Sequence, residues 1–520
     1  MKASHPRPNK KNKIFAAAAV KMLEHEISAA WAVQDLDKSV HLLNKVIEAN
    51  PRSVKARLSL ARVYGVQYDY EKAIEWFDAA VEVAPPQQRL AALIEVGRTA
   101  RDLFDPSIAE SFLEEAVEHS QTAAAKMALA EYAIRIRKRE LASGLVDEVL
   151  KSSPKDPFAS YLWSVLNEDR FEECVARLKG VMSTQAAELK AKAGYQLAKI
   201  YDKFGDYDGA MGALKDAKAV LMPSRNQIVE QRRQIRARHR DLAQKFTTTK
   251  RQEWQGALDQ LGDPQRIALL GGHPRSGTTL LEQVLDSHPD IVSAEEAENF
   301  ALFAFWPIMR AHETADPFKG MDESSLDELR VSRDRYFSAI DRCLGEAVGS
   351  RLLIDKNPSL TSLVPALFRI FPEIRYVMMI RDPRDVILSC YMQSFVPVSG
   401  VNGNYLTLQD TAEEYAGVMG VWTEVADRFE GNVCEVRYED MVEDLKGNAK
   451  RVLDFLGVEW DDSIMDYDRH ARERIVRSPT AQAVTEKVHT RAKNRWKNYE
   501  KHLEPVFETL QPCLRALGYD

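Results

Sequence analysis

The sequence predicts an α-helical repeat solenoid followed by a phosphate-loop α/β domain with a central parallel sheet, and three observations carry that reading. A helical pattern in the first half of the 520 residues recurs at a fixed offset. An apolar run at 267–270 breaks into a glycine-bearing loop that opens directly into an amphipathic helix. Two further apolar runs, at 352–354 and 376–380, end in charged residues, as strands do in open parallel sheets that bind ligands beyond their carboxyl ends.

In the N-terminal half, Leu60, Ala61, Tyr64, Tyr70, Ala73, Phe77 and Ala80 are matched at a constant offset of 137 residues by Leu197, Ala198, Tyr201, Tyr207, Ala210, Leu214 and Ala217. Four periods of about 34 residues make that offset. Gly97, Ala109 and Ala116 repeat the small positions one period on, with a short insertion, and Pro51 and Pro85 close two units. Small residues let paired helices approach and aromatic residues fill the gaps between them; a generic bundle keeps no such phase. The pattern resembles the tetratricopeptide repeat, which implies a helical-repeat domain over 1–218 whose concave surface binds an extended peptide or a partner protein. Dimerisation into a homodimer, or scaffolding, is the other use such a surface serves. Residues 219–262 read as a helical linker. Its Arg232, Arg233, Arg236, Arg238 and Arg240 could attract nucleic acid or an acidic substrate, but a solvated connecting helix is the commoner source of such a run.

The domain over 263–520 opens with the strand Ile267–Leu270, and Leu280, Leu281, Val284 and Leu285 then recur at helical spacing. The loop between them therefore sits at a helix N-terminus, where unpaired N–H groups and the helix dipole favour an anion. Gly272 and Gly277 satisfy the G-x-x-x-x-G part of a nucleotide phosphate loop, but Thr278 and Thr279 stand where that loop needs Lys-Ser or Lys-Thr. The available cation is instead Arg275, and Ser276, Thr278 and Thr279 add hydroxyl donors. Such a loop suits a phosphate held without magnesium, whereas a kinase or NTPase would want the lysine and an aspartate on the metal.

Two later segments supply partners. Leu352-Leu353-Ile354-Asp355-Lys356 places a cation just past a strand end, and Tyr376–Ile380 ends in Arg381-Asp382-Pro383-Arg384-Asp385 before a helical run through Ser389. Read alone, Asp382 and Arg384 are equally well explained as a structural ion pair.

Taken together, residues 265–515 resemble the sulfotransferase fold family, most closely the tyrosylprotein sulfotransferase branch and its bacterial relatives that carry tetratricopeptide repeats. The resemblance implies that Arg275, Ser276, Gly277, Thr278 and Thr279 bind the 5′-phosphosulfate end of 3′-phosphoadenylyl sulfate (PAPS). It carries the family's 3′-phosphate arginine and serine, eight residues apart, onto Arg381 and Ser389. The family's nucleotide-contacting tyrosine falls on Tyr438, within Arg437-Tyr438-Glu439-Asp440, and Leu453-Asp454-Phe455-Leu456-Gly457 looks like the helix that follows. In the segment Ser293–Glu298, counting from His288-Pro289 sets Glu296 on the family's catalytic base, and a one-residue shift sets Glu295 there. Lys356 falls on the lysine beside the bridging oxygen. Arg477-Ser478-Pro479-Thr480 and Arg495-Trp496 look like the closing loop and its cofactor-facing cation. The chain departs from the animal branch at Ser293 and near Asp355, where that branch has a disulfide, and at Gln393, where it has a further arginine.

The implied chemistry asks for these residue types. An acceptor hydroxyl (a protein tyrosine among the candidates) or amine attacks sulfur in line, and charge builds on the departing phosphate oxygen. Arg275 and Lys356 would stabilise that charge and Glu296 would take the acceptor's proton, with no metal required. The alternatives are an ATP-dependent kinase on the same phosphate-loop architecture and a repeat adaptor that binds a nucleotide without turnover. Residues 394–406, with Gly400 and Gly403, read as a loop near the acceptor. A net charge of −7 argues against broad nucleic-acid binding, and the apolar run Phe15–Val20 is too short for a signal or a membrane span. Cysteines 174, 343, 390, 434 and 513 are odd in number and lack metal spacing, which makes a reducing cytoplasm the expected location.

Overall fold

The computed structural model describes residues 10–101, 103, 107–220, 222–394, 402–429, 431–473, 487–488 and 490–520. The chain forms two compact units, Met1–Leu166 and Asn167–Asp520. The repeat continues across that division, so the helices Phe171–Met182, Ala187–Lys203 and Tyr207–Ala219 share a unit with the α/β domain. No helix among the described residues is long and apolar enough to cross a membrane.

The small and aliphatic repeat positions found in the sequence are buried, and the tyrosines Tyr64, Tyr70, Tyr201 and Tyr207 are half-buried. Leu60, Ala61, Ala73, Phe77 and Ala80 are wholly enclosed, as are Ala210, Leu214 and Ala217 four periods later. The backbone carries the same period in its turns. Gln34, Tyr68, Arg137 and Gly205 all take positive φ between paired helices, and Tyr68 and Gly205 are separated by the same 137 residues as the side-chain pattern. Asp35, Asp69 and Asp206 follow three of these turns and cap the next helix, each accepting a backbone N–H three residues on. A left-handed residue closes one helix and an aspartate supplies an acceptor for the orphan donors of the next.

The α/β domain is built on five parallel strands in the order β2-β3-β1-β4-β5. They are β1 (Ile267–Gly272), β2 (Ile291–Ser293), β3 (Leu352–Asp355), β4 (Arg375–Ile380) and β5 (Val433–Arg437). The sequence-predicted strands are all present. β1 lies at the centre, with Leu269 registered on Asp355 at one side and on Tyr376 at the other. It is apolar and buried along its whole length, as a parallel strand covered on both faces must be. Because all strands run the same way, the carboxyl ends of β1, β3, β4 and β5 deliver the phosphate loop, Lys356, Arg381 and Tyr438 to one edge of the sheet.

The arginine-rich helix Arg225–Lys245 is not simply a solvated connector. Arg225 holds Asp410 through two hydrogen bonds of 2.7 and 2.6 Å, and Arg232 and Arg236 both bind Glu414, the latter at 2.7 Å. These acids lie on the helix Leu408–Val425, where a Cβ at Gly417 would come within 2.4 Å of Arg236 Cδ. Burial pushes the Glu414 carboxyl up, but the two arginines outweigh it and hold it below the usual carboxylate range. Removing one partner of a buried pair leaves the other uncompensated. Glu414→Ala should therefore lower stability by about 3 kcal/mol at pH 7 in urea denaturation. The contribution exists above the unfolded carboxylate pKa and disappears as pH falls, so the difference should shrink below about pH 4.

Candidate functional site

The phosphate loop leaves β1 at Gly272 and closes onto the nine-residue helix Thr278–Asp286. Two of its residues adopt left-handed backbone, Arg275 at φ 73° and Gly277 at φ 99°. Glycine tolerates this conformation; an arginine held there is strained, which is a feature of ligand clamps. A side chain at 277 would also place its Cβ 2.5 Å from Cδ2 of Tyr438. The loop is thus a cradle whose floor is the Tyr438 ring.

The predicted cofactor residues converge on this loop. Arg275 Nε donates to Ser389 Oγ at 3.0 Å, joining residues 114 positions apart. Arg381 Nη1 donates to the Arg275 carbonyl at 3.0 Å, and its guanidinium stacks 4.6 Å above the Tyr438 ring. Ser276, Thr278 and Thr279 are buried at the helix start. Burial is the main influence lowering the Arg275 pKa; Arg381 and Arg495 add to it and Glu296 opposes it, so these groups share one electrostatic neighbourhood. Nε of Arg381 is buried and has no hydrogen-bond partner among the described residues. An orphan guanidinium donor beside a helix N-terminus fits a phosphate-bearing ligand.

A second cluster stands at the end of β3. Lys356, wholly buried, lies 2.8 Å from Oε1 of Glu296 and 3.1 Å from Oε2 of Glu282. Burial pulls the ammonium's pKa down, but the two carboxylates more than offset it and hold it up. The Glu296 side chain is 43% exposed, so a reactant can reach it, whereas Glu282 is enclosed. Glu282 was not singled out in the sequence. It accepts a 2.6 Å hydrogen bond from Ser293, and burial pushes its carboxyl up against the opposing pull of Lys356. The available signal was an acidic residue between Leu281 and Val284 on the apolar stripe of the phosphate-loop helix. Glu295 takes a different course from Glu296, with φ 50° and its amide donating to Ser293 Oγ.

The Arg-Asp segment after β4 divides its labour. Arg384 forks onto its neighbour Asp382 at 2.9 Å and stacks 4.1 Å over Trp496, which is the structural ion pair considered from sequence. Asp385 instead accepts the backbone N–H groups of Asn494 and Trp496 at 2.9 and 2.8 Å, tying the Arg495 segment to Arg381. Arg495 pairs with Asp202 at 2.6 Å. The closing-loop residues Arg477–Thr480 and most of the 394–406 loop, Gly400 included, lie outside the described residues.

A model of the sulfotransferase family matches residues 268–462, and a tetratricopeptide repeat model matches residues 26–88. The matched residues 268–462 form a sulfotransferase-type domain. Protein-tyrosine sulfotransferase A of Caenorhabditis elegans is 26% identical over 262 residues, 48% of this chain and 66% of that protein. An uncharacterized protein of Aquifex aeolicus (strain VF5) is 26% identical over 361 residues, 66% of this chain and 45% of its own length. The chain thus spans about half of the Aquifex relative and just under two thirds of the nematode one. A solved sulfotransferase domain from the Synechococcus PCC 7002 olefin synthase covers 47% of this chain and 95% of its own, at 18% identity and a TM-score of 0.32.

Two outcomes test how the sulfotransferase domain is built. Gly277→Ala should destabilise the fold by about 1–3 kcal/mol in thermal denaturation, and adding Tyr438→Ala should recover part of the loss by removing the clash. Asp355, buried and hydrogen-bonded by Tyr336 Oη at 2.7 Å, has its carboxyl pushed up to about 7 by burial. The unfolded aspartate ionises near pH 4, so this group lowers stability as pH rises from about 4 to 7. Asp355→Asn, which keeps an acceptor for Tyr336, should raise stability by about 1–3 kcal/mol at pH 8 and by little at pH 4.

Proposed function

We propose that this chain is a PAPS-dependent sulfotransferase acting on an acceptor hydroxyl, protein tyrosine among the candidates, or an amine. Residues 1–218 recruit a partner or substrate protein, 219–262 connect, and 263–520 carry the reaction. The observation that carries the reading is the meeting of an exposed carboxylate, Glu296, with a buried lysine, Lys356, beside a lysine-free phosphate loop served by Arg275, Arg381 and Ser389.

When bound, the cofactor supplies an electrophilic sulfur joined to a phosphate leaving group. In this reading Arg275, Ser276, Gly277, Thr278 and Thr279 hold the 5′ end, while Arg381, Ser389, Tyr438 and Arg495 hold the remainder of the nucleotide. Lys356 and Arg275 present fixed positive charge to the oxygen that departs, which is where charge develops. Glu296 takes the acceptor's proton as the acceptor–sulfur bond forms and the sulfur–oxygen bond to phosphate breaks. For that transfer Lys356 must share its proton donors between Glu296 and the leaving oxygen, and its bond to enclosed Glu282 keeps it anchored meanwhile. Fixed cations serve where a kinase would use a metal. A reducing, cytoplasmic setting is part of this reading, drawn from the odd number and scattered positions of the five cysteines.

The test pairs calorimetry with turnover, using adenosine 3′,5′-bisphosphate without magnesium, ATP with magnesium in parallel, and tyrosine peptides and amines as acceptors. Arg275→Ala should weaken bisphosphate binding at least about tenfold. Glu296→Gln should bind bisphosphate normally and lose about 100- to 1,000-fold in sulfuryl transfer. An undiminished rate in Glu296→Gln removes the base assignment. ATP binding in place of bisphosphate moves a kinase forward, and binding of neither nucleotide moves the adaptor forward.

A further inference from the structure

The last helix pair of the repeat array, Ala187–Lys203 and Tyr207–Ala219, meets the segment that carries Arg495 inside the same compact unit. Asp202 spends both carboxylate oxygens there. Oδ2 lies 2.6 Å from Arg495 Nη2, and Oδ1 accepts a 2.6 Å hydrogen bond from Tyr499. The Tyr207 ring meets the Tyr499 ring edge to face at 5.0 Å, and Asp208 takes Lys501 and His502 at 2.6 and 2.7 Å. The Asp208 pairs are exposed and contribute little; the Asp202 pair is mostly buried. From the next helix, buried Lys218 donates to the Tyr405 carbonyl and stacks 4.3 Å over Tyr391, two residues beyond Ser389.

The opposite flank of Arg495 is already fixed. Asp385 holds the N–H groups of Asn494 and Trp496, and Arg381 Nη2 donates to the Ala492 carbonyl at 2.6 Å. What those bonds leave undetermined is where the long Arg495 side chain points. A flexible guanidinium loses side-chain entropy when it engages a ligand, and a carboxylate that holds it in place beforehand lowers that cost. Burial alone would lower the Arg495 pKa, and Asp202 more than restores it.

We propose that Asp202 is a positioning residue for the cofactor site, fixing the Arg495 guanidinium so that the final repeat pair forms part of that site. The proposal rests on the reading of Arg495 as a cofactor-facing cation. It makes the repeat array's last unit part of the nucleotide-binding machinery, where the sequence reading gives it partner recruitment, dimerisation or scaffolding.

A double-mutant cycle on the full chain tests it, with adenosine 3′,5′-bisphosphate titrated calorimetrically into the unaltered protein, Asp202→Asn, Arg495→Gln and the double variant. Asp202→Asn should weaken binding about five- to tenfold, and Arg495→Gln about tenfold or more. The double variant should bind no more weakly than Arg495→Gln, because Asp202 acts through that arginine; a general structural role would give additive losses. Asp202→Glu, which keeps the charge, should recover most of the affinity and also serves if the asparagine variant fails to fold. Additive losses, unchanged affinity in Asp202→Asn, or tighter binding there overturn the proposal while leaving the cofactor reading in place. Tighter binding would mean that Asp202 sequesters Arg495 from the ligand. No bisphosphate binding by the unaltered chain overturns the cofactor reading and this proposal with it.

Discussion

The sulfotransferase domain depends on holding several positive charges together before any anion arrives. Arg275 is buried in a left-handed turn, with Arg381 against its carbonyl and Arg495 within electrostatic range. Like charges in a low-dielectric setting repel, so each must be restrained by something other than its eventual ligand. Ser389 holds Arg275, the Tyr438 ring and Asp385 face Arg381, and Asp202 holds Arg495. The parallel sheet makes this feasible because its strands end at one edge, and β1, at the centre, places the phosphate loop between the ends of β3 and β4.

Lys356 follows a different rule. It sits in the core with two carboxylates, one enclosed and one reachable, so the pair does not close on itself. An enclosed partner fixes the ammonium's place, and a reachable partner leaves room for exchange with a reactant. The asymmetry of Glu282 and Glu296 therefore separates an enclosed anchor from a carboxylate open to solvent, using two side chains of the same chemical type.

Much of this was legible in the sequence because it is local or rides on a strand end. Buried strands read as apolar runs, the phosphate loop as glycines before a helix, and Arg381 and Ser389 as two positions one loop and two turns apart. Glu296 and Lys356 were found by resemblance, and the structure joins them. Glu282 escaped because a carboxylate on an apolar stripe looks like a surface residue until its ammonium partner, just past the end of β3, is known. Asp202 escaped for the same reason at greater range: it belongs to a repeat helix and its partner Arg495, found by resemblance, to a C-terminal segment, and no periodicity connects them. The arginines of 225–245 were visible as a run, but their neutralisation by Asp410 and Glu414 is a tertiary fact.

The turns of the repeat array have a consequence for how such a chain changes length. Each left-handed residue and its following aspartate form a local joint, as at Tyr68 and Asp69 or Gly205 and Asp206, in which the aspartate caps the helix that follows. A whole 34-residue unit can therefore be gained or lost without altering its neighbours' joints, provided the interior faces still match. The final pair has no such freedom, since Asp202, Asp208 and Lys218 are committed to the α/β domain. Variation in repeat number should accumulate toward the N-terminal side of the array, with the Ala187–Ala219 pair inherited together with the domain it contacts.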